Sequence, residues 1–419
     1  MTILLVILGA ILVTVIVLNL GSGEKKIEAR IASLYAVGDQ QFHRSMGSLL
    51  GPPLLQGNRI TALQNGDEIF PAMLDAIRGA RETINFETYI YWSGEIGTEF
   101  ADTLSQRARD GIRVNVLVDW AGSVKMEESL LDEMREAGVE VRRFHPVRWY
   151  TLSKLNNRTH RKLLVVDGRV GFTGGVGIAD LWQGHAQDES HWRDSHFRLE
   201  GPAVAQMQAA FLDNWIKTDG AVLHGPDYFP ELKPMGESWA QVFRSAQDEG
   251  AESVRLMYLL SVACARQRID IASAYFVPDD LSLDMLVAAL KRGVRVRILV
   301  PGRHTDSPMV RRASRARWGR ALEAGAEIYE FQPTMFHCKV MMVDALWSSV
   351  GSTNFDTRSF RLNAEANLNV LDAEFATAQT EVFESDLQRA RQITYEDWRR
   401  RPWNEKLKEH LAQLLRSQL

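Results

Sequence analysis

The chain is poor in cysteine. Its 419 residues carry only Cys264 and Cys338, which excludes both a disulfide framework and a cysteine-rich metal site. It also lacks a surplus of charge: 49 Lys and Arg stand against 53 Asp and Glu, a net charge of −4. That balance does not describe a general polyanion binder and leaves only local basic patches for such contacts. Residues 3–20, ILLVILGAILVTVIVLNL, contain no charge and are just long enough to cross a bilayer as one helix. A basic segment before this run and a small-residue cleavage site after it are both missing, which argues against a removed signal peptide. Apolarity on every side argues against a buried soluble helix. We read residues 1–22 as a transmembrane anchor. Lys25, Lys26 and Arg30 follow it, and the positive-inside rule then places the rest of a single-pass protein on the cytoplasmic side of the cell membrane.

What remains is too long for one ordinary core, so two domains are expected. The segment NRTHRKLLVVDG, residues 157–168, opens with His160 and Lys162, which alternation places on one face of a strand. The apolar run Leu163 to Val166 and the turn signal after it mark a short core strand. Taken alone, the motif is explained by a solvated strand end. It is not alone. In FHCKVMMVDALW, residues 336–347, His337, Lys339 and Asp344 repeat His160, Lys162 and Asp167. DGIRVNVLVD (110–119) parallels RGVRVRILVP (292–301), and EAGVEVRRFHP (136–146) parallels EAGAEIYEFQP (323–333). Before each motif come a strand, a helix, a strand, a helix ending at Gly138 or Gly325, and another strand. That order is α/β. The expected architecture is two repeated lobes, 58–225 and 240–395, joined by a connector, 226–239, and followed by a basic amphipathic helix, 396–419. Packing about a pseudo-twofold axis would bring two histidines and two lysines into one site at the interface.

Such a constellation suits a phosphodiester. One neutral imidazole attacks phosphorus, the other protonates the leaving alkoxide, and two lysines supply the positive charge a metal would otherwise bring. No metal and no cofactor are implied. Symmetry leaves the two histidine roles interchangeable.

The doubled H-x-K-x-x-x-x-D motif resembles the phospholipase D superfamily. The segments NFETYIYWSGEIG, FTGGVGIAD, HWRDSH, SAYFVPDD and VGSTNFDTRSFRLN resemble the bacterial cardiolipin synthases within it, over residues 58–395. The resemblance implies that His160 is the nucleophile and His337 the general acid/base, and it includes Asp167 and Asp344 in the catalytic signature with Lys162 and Lys339. Physically the aspartates fit that set poorly. Each lies seven residues from its histidine, about 23 Å at ~3.3 Å per residue and on the other strand face, so a turn-fixing or lobe-docking role is expected. Asp194 and Glu365 resemble the carboxylates that orient the imidazoles in this superfamily. Surface ion pairs with Arg193 and Arg361 are their alternative use. Ser352 and Asn354 are expected to donate to phosphate oxygens, whereas Gly175 and Gly177, at the matching positions of lobe one, offer backbone amides and room for a bulky substituent.

Three weaker signals point to lipid. Arg303, Arg311, Arg312, Arg315, Arg317 and Arg320 crowd one segment, and Leu407, Leu411, Leu414 and Leu415 share one face of the basic C-terminal helix; both suggest contact with anionic lipid, with helices that merely cap a lobe as the alternative. Trp149 and Tyr150 either line a lipid entrance or pack in the core. The implied activity is phosphatidyl transfer between two phosphatidylglycerol molecules through a phosphohistidine, with release of glycerol. A phospholipase D-type hydrolase is the alternative, since only access of water separates the two. A nuclease or other phosphodiesterase is disfavoured by the net charge and the apolar anchor, and no nucleic-acid partner is expected.

Overall fold

The computed structural model describes residues 27–145, 157–246 and 252–414, together with Gly9 and Thr14. The anchor read at 1–22, apart from Gly9 and Thr14, and Trp149, Tyr150 and Leu415 lie outside the described residues. Among the described residues no helix is long and apolar enough to cross a membrane.

Lobe one contains β1 (Leu55–Gln64), β2 (Thr83–Thr88), β3 (Arg113–Asp119), β4 (Glu140–Phe144), β5 (Leu163–Val166), β6 (Val170–Gly174) and β7 (Ser195–Glu200). Lobe two contains β8 (Ser238–Ser245), β9 (Arg268–Ser273), β10 (Phe276–Val277), β11 (Arg295–Pro301), β12 (Glu327–Phe331), β13 (Lys339–Val343), β14 (Trp347–Gly351), β15 (Phe355–Asp356), β16 (Glu365–Leu371) and β17 (Ala390–Ile393). Strands β1 and β8 thus begin slightly before the expected lobe boundaries at 58 and 240. The strand order across the molecule is β17-β12-β11-β9-β13-β14-β16-β8-β1-β7-β6-β5-β2-β3-β4, while β10 and β15 pair separately. Read outward from the β1–β8 pair, the two halves follow the same order, and β17 is an extra edge strand.

In the large sheet three strands of each lobe are parallel (β2-β3-β4 and β9-β11-β12) and the other pairings are antiparallel, while β10 and β15 pair in parallel in their own small sheet. The parallel strands need crossovers, which the helices Glu95–Arg109, Glu128–Glu136, Asp280–Lys291 and Pro308–Glu323 supply. Gly138 and Gly325, just past the ends of two of these helices, have φ of 97° and 100°, the left-handed conformation that ends a helix most cheaply without a Cβ.

Alternation along the motif strands divides their side chains between two cores. Leu164 and Val166 join the outer core of lobe one, whereas Leu163 and Val165 join a central core built from both lobes. In lobe two, Met341 and Val343 face outward and Val340 and Met342 face the central core. A strand covered on both faces reads as an unbroken apolar run, which is why LLVV and VMMV look alike. The central core also takes Phe211 and Trp215 from helix Val204–Ile216, and Phe375 and Phe383 from helix Ala373–Gln388. Cys264 and Cys338 are both buried free thiols.

The C-terminal helix Trp403–Gln413 and the arginine-rich helix Pro308–Glu323 cap lobe two together. The expectation that the arginines contact lipid is corrected here. Arg303 pairs with Glu189, Arg311 with Glu330, Arg315 with Glu405 and Glu409, Arg317 with Asp280, and Arg320 with Asp284. Only Arg312 among the six is exposed without an ion pair among the described residues. A run of basic residues is here a set of tethers to acids distant in sequence.

Candidate active site

Each H-x-K segment enters its strand through the opposite lobe. The amide of His160 donates to the carbonyl of Ala364 at 2.8 Å, and the amide of Ala364 donates back to the carbonyl of Arg158 at 2.8 Å. The other crossing matches it: His337 donates to Arg193 at 2.7 Å and Arg193 to Met335 at 2.9 Å. Each histidine is therefore pinned beside the residue that precedes the other lobe's carboxylate. Nδ1 of His160 lies 3.0 Å from both oxygens of Glu365, and Nδ1 of His337 lies 2.8 Å from Asp194 Oδ2. With Nδ1 committed to a carboxylate in both rings, Nε2 is the nitrogen left for chemistry. All four side chains are buried.

The carboxylates are themselves held, by different means. Glu365 accepts from Ser352 Oγ and from Asn363 Nδ2 at 3.2 Å. Asp194 accepts from Trp182 Nε1 at 2.9 Å and from the amide of Ser195 at 2.8 Å. Arg193 anchors this segment with an ion pair to Asp386 at 2.9 Å. The alternative use of Asp194 and Glu365 in ion pairs with Arg193 and Arg361 is thus overturned, since Arg361 pairs with Glu252.

Lys162 Nζ donates to the carbonyl of His160 at 2.9 Å, and Lys339 Nζ lies 3.0 and 3.1 Å from the two ring nitrogens of His337. No point in the ring plane is that close to both nitrogens without overlapping a ring carbon, so the ammonium sits over the ring face. The two lysines act on each other across the interface. Burial, together with the charge of Lys339, pushes Lys162 down to about 7, and burial pushes Lys339 down as well. His160 is pushed to about 4 by burial, with Glu365 opposing and both lysines adding to the fall; His337 is lowered by burial and by Lys339. Burial works against ionising Asp194 and Glu365, yet the facing imidazole and the hydrogen bonds keep both carboxyls below their usual range. Burial thus favours neutral imidazoles, the two carboxyls stay ionised, and Lys162 and Lys339 are the facing cations, with Lys162 losing its charge near neutrality.

Asp167 and Asp344 are not brought to the histidines, and their place in the catalytic set is corrected. Each occupies a left-handed turn position, φ 53°, at the far end of its strand. Asp167 accepts from the amides of Arg81, Glu82 and Thr83, and Asp344 from those of Arg266, Gln267 and Arg268. Both pin the segment that leads into β2 or β9. Ser352 is not free to grip phosphate either, because its hydroxyl is engaged by Glu365 and accepts from the amide of Ala366 at 3.1 Å. Asn354 is buried next to it, its Oδ1 unpartnered among the described residues. Gly175 and Gly177 give no room for a bulky group: a Cβ on Gly175 would lie 2.2 Å from Asp194 Oδ1, and one on Gly177 would lie 2.8 Å from Ile90. Gly175 is needed so that the Asp194 carboxylate can reach His337.

Sequence reading missed the aromatic partners. Tyr89 lies edge-on to His160 with ring centroids 5.3 Å apart, while Trp182 and Trp192 flank His337 at 5.4 and 5.5 Å. The repeat itself held the signal, since Tyr89 stands where lobe two has Ala274.

Two stretches, residues 73–213 and 260–387, match the family model described as cardiolipin synthase, phospholipase D-like domain. Cardiolipin synthase 2 of Bacillus anthracis is 36% identical over 84% of this chain and 69% of its own length. The major cardiolipin synthase of Bacillus subtilis is 34% identical over 86% of this chain and 75% of its own. The crystal structure of phosphatidylserine synthase from Haemophilus influenzae matches with a TM-score of 0.67 at 15% identity, over 90% of this chain and 99% of that one, a likeness of fold.

Proposed function

The chain belongs to the cardiolipin synthase family of phospholipase D-like proteins, and from that premise we propose that it joins two phosphatidylglycerol molecules into cardiolipin, with release of glycerol, through a phosphohistidine. The observation that carries this reading is the reciprocal arrangement of two neutral imidazoles, each held at Nδ1 by the other lobe's carboxylate, between two lysines. A phosphodiester brings one negative charge beside both imidazoles and both lysines; that charge raises their proton affinity and favours a protonated imidazole as the acid.

In the first half, Nε2 of His160 attacks phosphorus while His337 gives its Nε2 proton to the departing glycerol oxygen. Positive charge appearing on His160 is met by Glu365. In the second half, His337 Nε2 takes the proton of the acceptor's hydroxyl, that oxygen attacks phosphorus, and the phosphorus–nitrogen bond breaks. Lys162 and Lys339 face the charge that develops on the phosphoryl oxygens. We take His160 as the nucleophile on the family resemblance, since both imidazoles are held at Nδ1 by the other lobe's carboxylate and that geometry does not separate their roles.

Attachment to the membrane belongs to the same reading, through residues 1–22 as a span with the lobes on the cytoplasmic side. The C-terminal helix adds a second contact. Trp403, Leu407, Leu411 and Leu414 are 76, 50, 55 and 72% exposed along one side of it, a stripe that suits the bilayer interface. Incubating the full-length protein with phosphatidylglycerol and identifying both products tests the reading. Cardiolipin with free glycerol is expected; phosphatidic acid as the sole lipid product would replace transfer by hydrolysis.

A further inference from the structure

The two imidazoles are held alike at Nδ1 and flanked unlike. Trp182 and Trp192 lie against His337 from the lobe-one core, and the N–H of Trp182 is spent on Asp194. Against His160 lies Tyr89, its ring at 65° to the imidazole with centroids 5.3 Å apart. The same ring has Lys162 Nζ 5.4 Å from its centroid. Tyr89 comes directly after β2, and the strand paired with β2, β5, begins directly after Lys162, so the backbone itself delivers the ring to this H-x-K pair. Its counterpart in lobe two, Ala274, has neither ring nor hydroxyl.

The ring is held, and the hydroxyl is not. Tyr89 is half-buried, and its hydroxyl makes no hydrogen bond among the described residues. Charges from both lobes act on it, Asp119 and Arg158 from lobe one and Arg358 and Asp306 from lobe two. Asp306 acts on His337 and Lys339 as well, and it accepts from the hydroxyl of Tyr275, a phenol that in turn feels Tyr89. A hydroxyl whose ring rests on His160, and whose charged surroundings are shared with His337, lies in the cleft between the two histidines. Burial, Asp119 and Asp306 lift this phenol above its ordinary range against the opposing arginines, so it keeps its proton and is a donor.

The group that enters that cleft is the phosphodiester. Its two non-bridging oxygens each accept more than one hydrogen bond, so two lysines do not exhaust them. We propose that Tyr89 is a further catalytic residue, whose hydroxyl donates a hydrogen bond to a non-bridging phosphoryl oxygen as phosphorus moves onto Nε2 of His160. The inference deepens the proposed function and rests on it. The phosphorus–nitrogen bond forms as the bond to the glycerol oxygen breaks, and His337 supplies the proton to that oxygen; Tyr89 keeps its own proton and forms no covalent bond. A donor fixed on one flank only also gives the two histidines different settings, with the phosphoryl group on the side of the phenol and the acid on the side of the tryptophans.

Tyr89→Phe removes the hydroxyl and keeps the ring against His160. Single-turnover labelling of the full-length enzyme should slow about ten- to a hundredfold, the range of one hydrogen bond to a charged group, with the half-saturating lipid concentration little changed and an unaltered thermal melt. The loss should be the same from phosphate-labelled phosphatidylglycerol and from the matching phosphatidyl-4-nitrophenol, because the phosphoryl oxygens are common to both while the nitrophenolate needs no proton. A loss confined to phosphatidylglycerol would assign the hydroxyl to the leaving group and overturn the proposal, as would a labelling rate within threefold of wild type on both substrates or a loss wholly in lipid affinity. Phosphatidic acid in place of cardiolipin from the wild-type enzyme would overturn transfer as the proposed function and leave the role of Tyr89 standing, since the labelling step precedes the choice of acceptor. Absence of any phosphohistidine in the wild-type enzyme would overturn both.

Discussion

Replacing Glu365 by Gln removes one charge and almost no volume. The side chain is fully buried and faces His160 Nδ1 through both oxygens at 3.0 Å. An opposite charge at this range is worth roughly 1–3 pK units to a buried group, and each unit is about 1.4 kcal/mol. Attack through Nε2 places positive charge on the imidazole, so the transition state loses that stabilisation whereas the neutral ground state does not. The expected fall in the rate of phosphoenzyme formation is therefore about ten- to a thousandfold. Loss of tautomer control pushes it toward the upper end, since the amide can present N–H to Nδ1; the same change in a Ser-His-Asp triad costs about ten-thousandfold. Glu365 touches no lipid in this account, so KM should move little. The fold should persist, because burying a neutral amide costs less than burying a carboxylate. Single-turnover labelling from phosphate-labelled phosphatidylglycerol, with a thermal melt alongside, measures both. A variant with an unaltered melt and a labelling rate within threefold of wild type would refute the role given to Glu365.

Lys162 is lowered to about 7 in the unliganded site, so its charge fades as pH rises through neutrality, and kcat/KM should fall above about pH 7. Bound phosphodiester favours the charged lysine, so kcat should hold to higher pH, and Lys162→Arg should remove the basic limb from the kcat/KM profile. Asp344→Asn and Asp167→Asn should each cost about 1.5–3 kcal/mol of stability, from charge-assisted bonds to backbone amides, with turnover of the folded enzyme near wild type; denaturant melts and activity below the melting range check this. Deleting residues 1–22 should leave turnover of monomeric short-chain lipid nearly intact and lower turnover of vesicles, as measured on both substrates.

Much of this was legible in the sequence because local rules govern it. Period-two alternation placed His160 with Lys162 and His337 with Lys339, and seven residues of strand correctly separated Asp167 and Asp344 from the histidines. What connects the lobes was not legible. His160 meets a carboxylate 205 residues away and His337 one 143 residues away, and no spacing rule says that the partners are exchanged between lobes. The same gap misled the reading of Gly175, whose empty Cβ position is filled by Asp194 from another strand, and of Ser352, which spends its hydroxyl on Glu365. The arginine-rich helix failed for a related reason: its acids, Asp280, Asp284, Glu330 and Glu409, are scattered along the chain and gather only on folding.

The central claim is that phosphorus is transferred through a nitrogen of His160. Rapid quenching of the wild-type enzyme with phosphate-labelled phosphatidylglycerol, followed by peptide mapping under alkaline conditions that preserve phosphohistidine, tests it directly. The account predicts label on the peptide carrying His160, lost in His160→Asn and discharged as cardiolipin when unlabelled phosphatidylglycerol is added. Label on the His337 peptide, or full cardiolipin synthesis by His160→Asn, would contradict it.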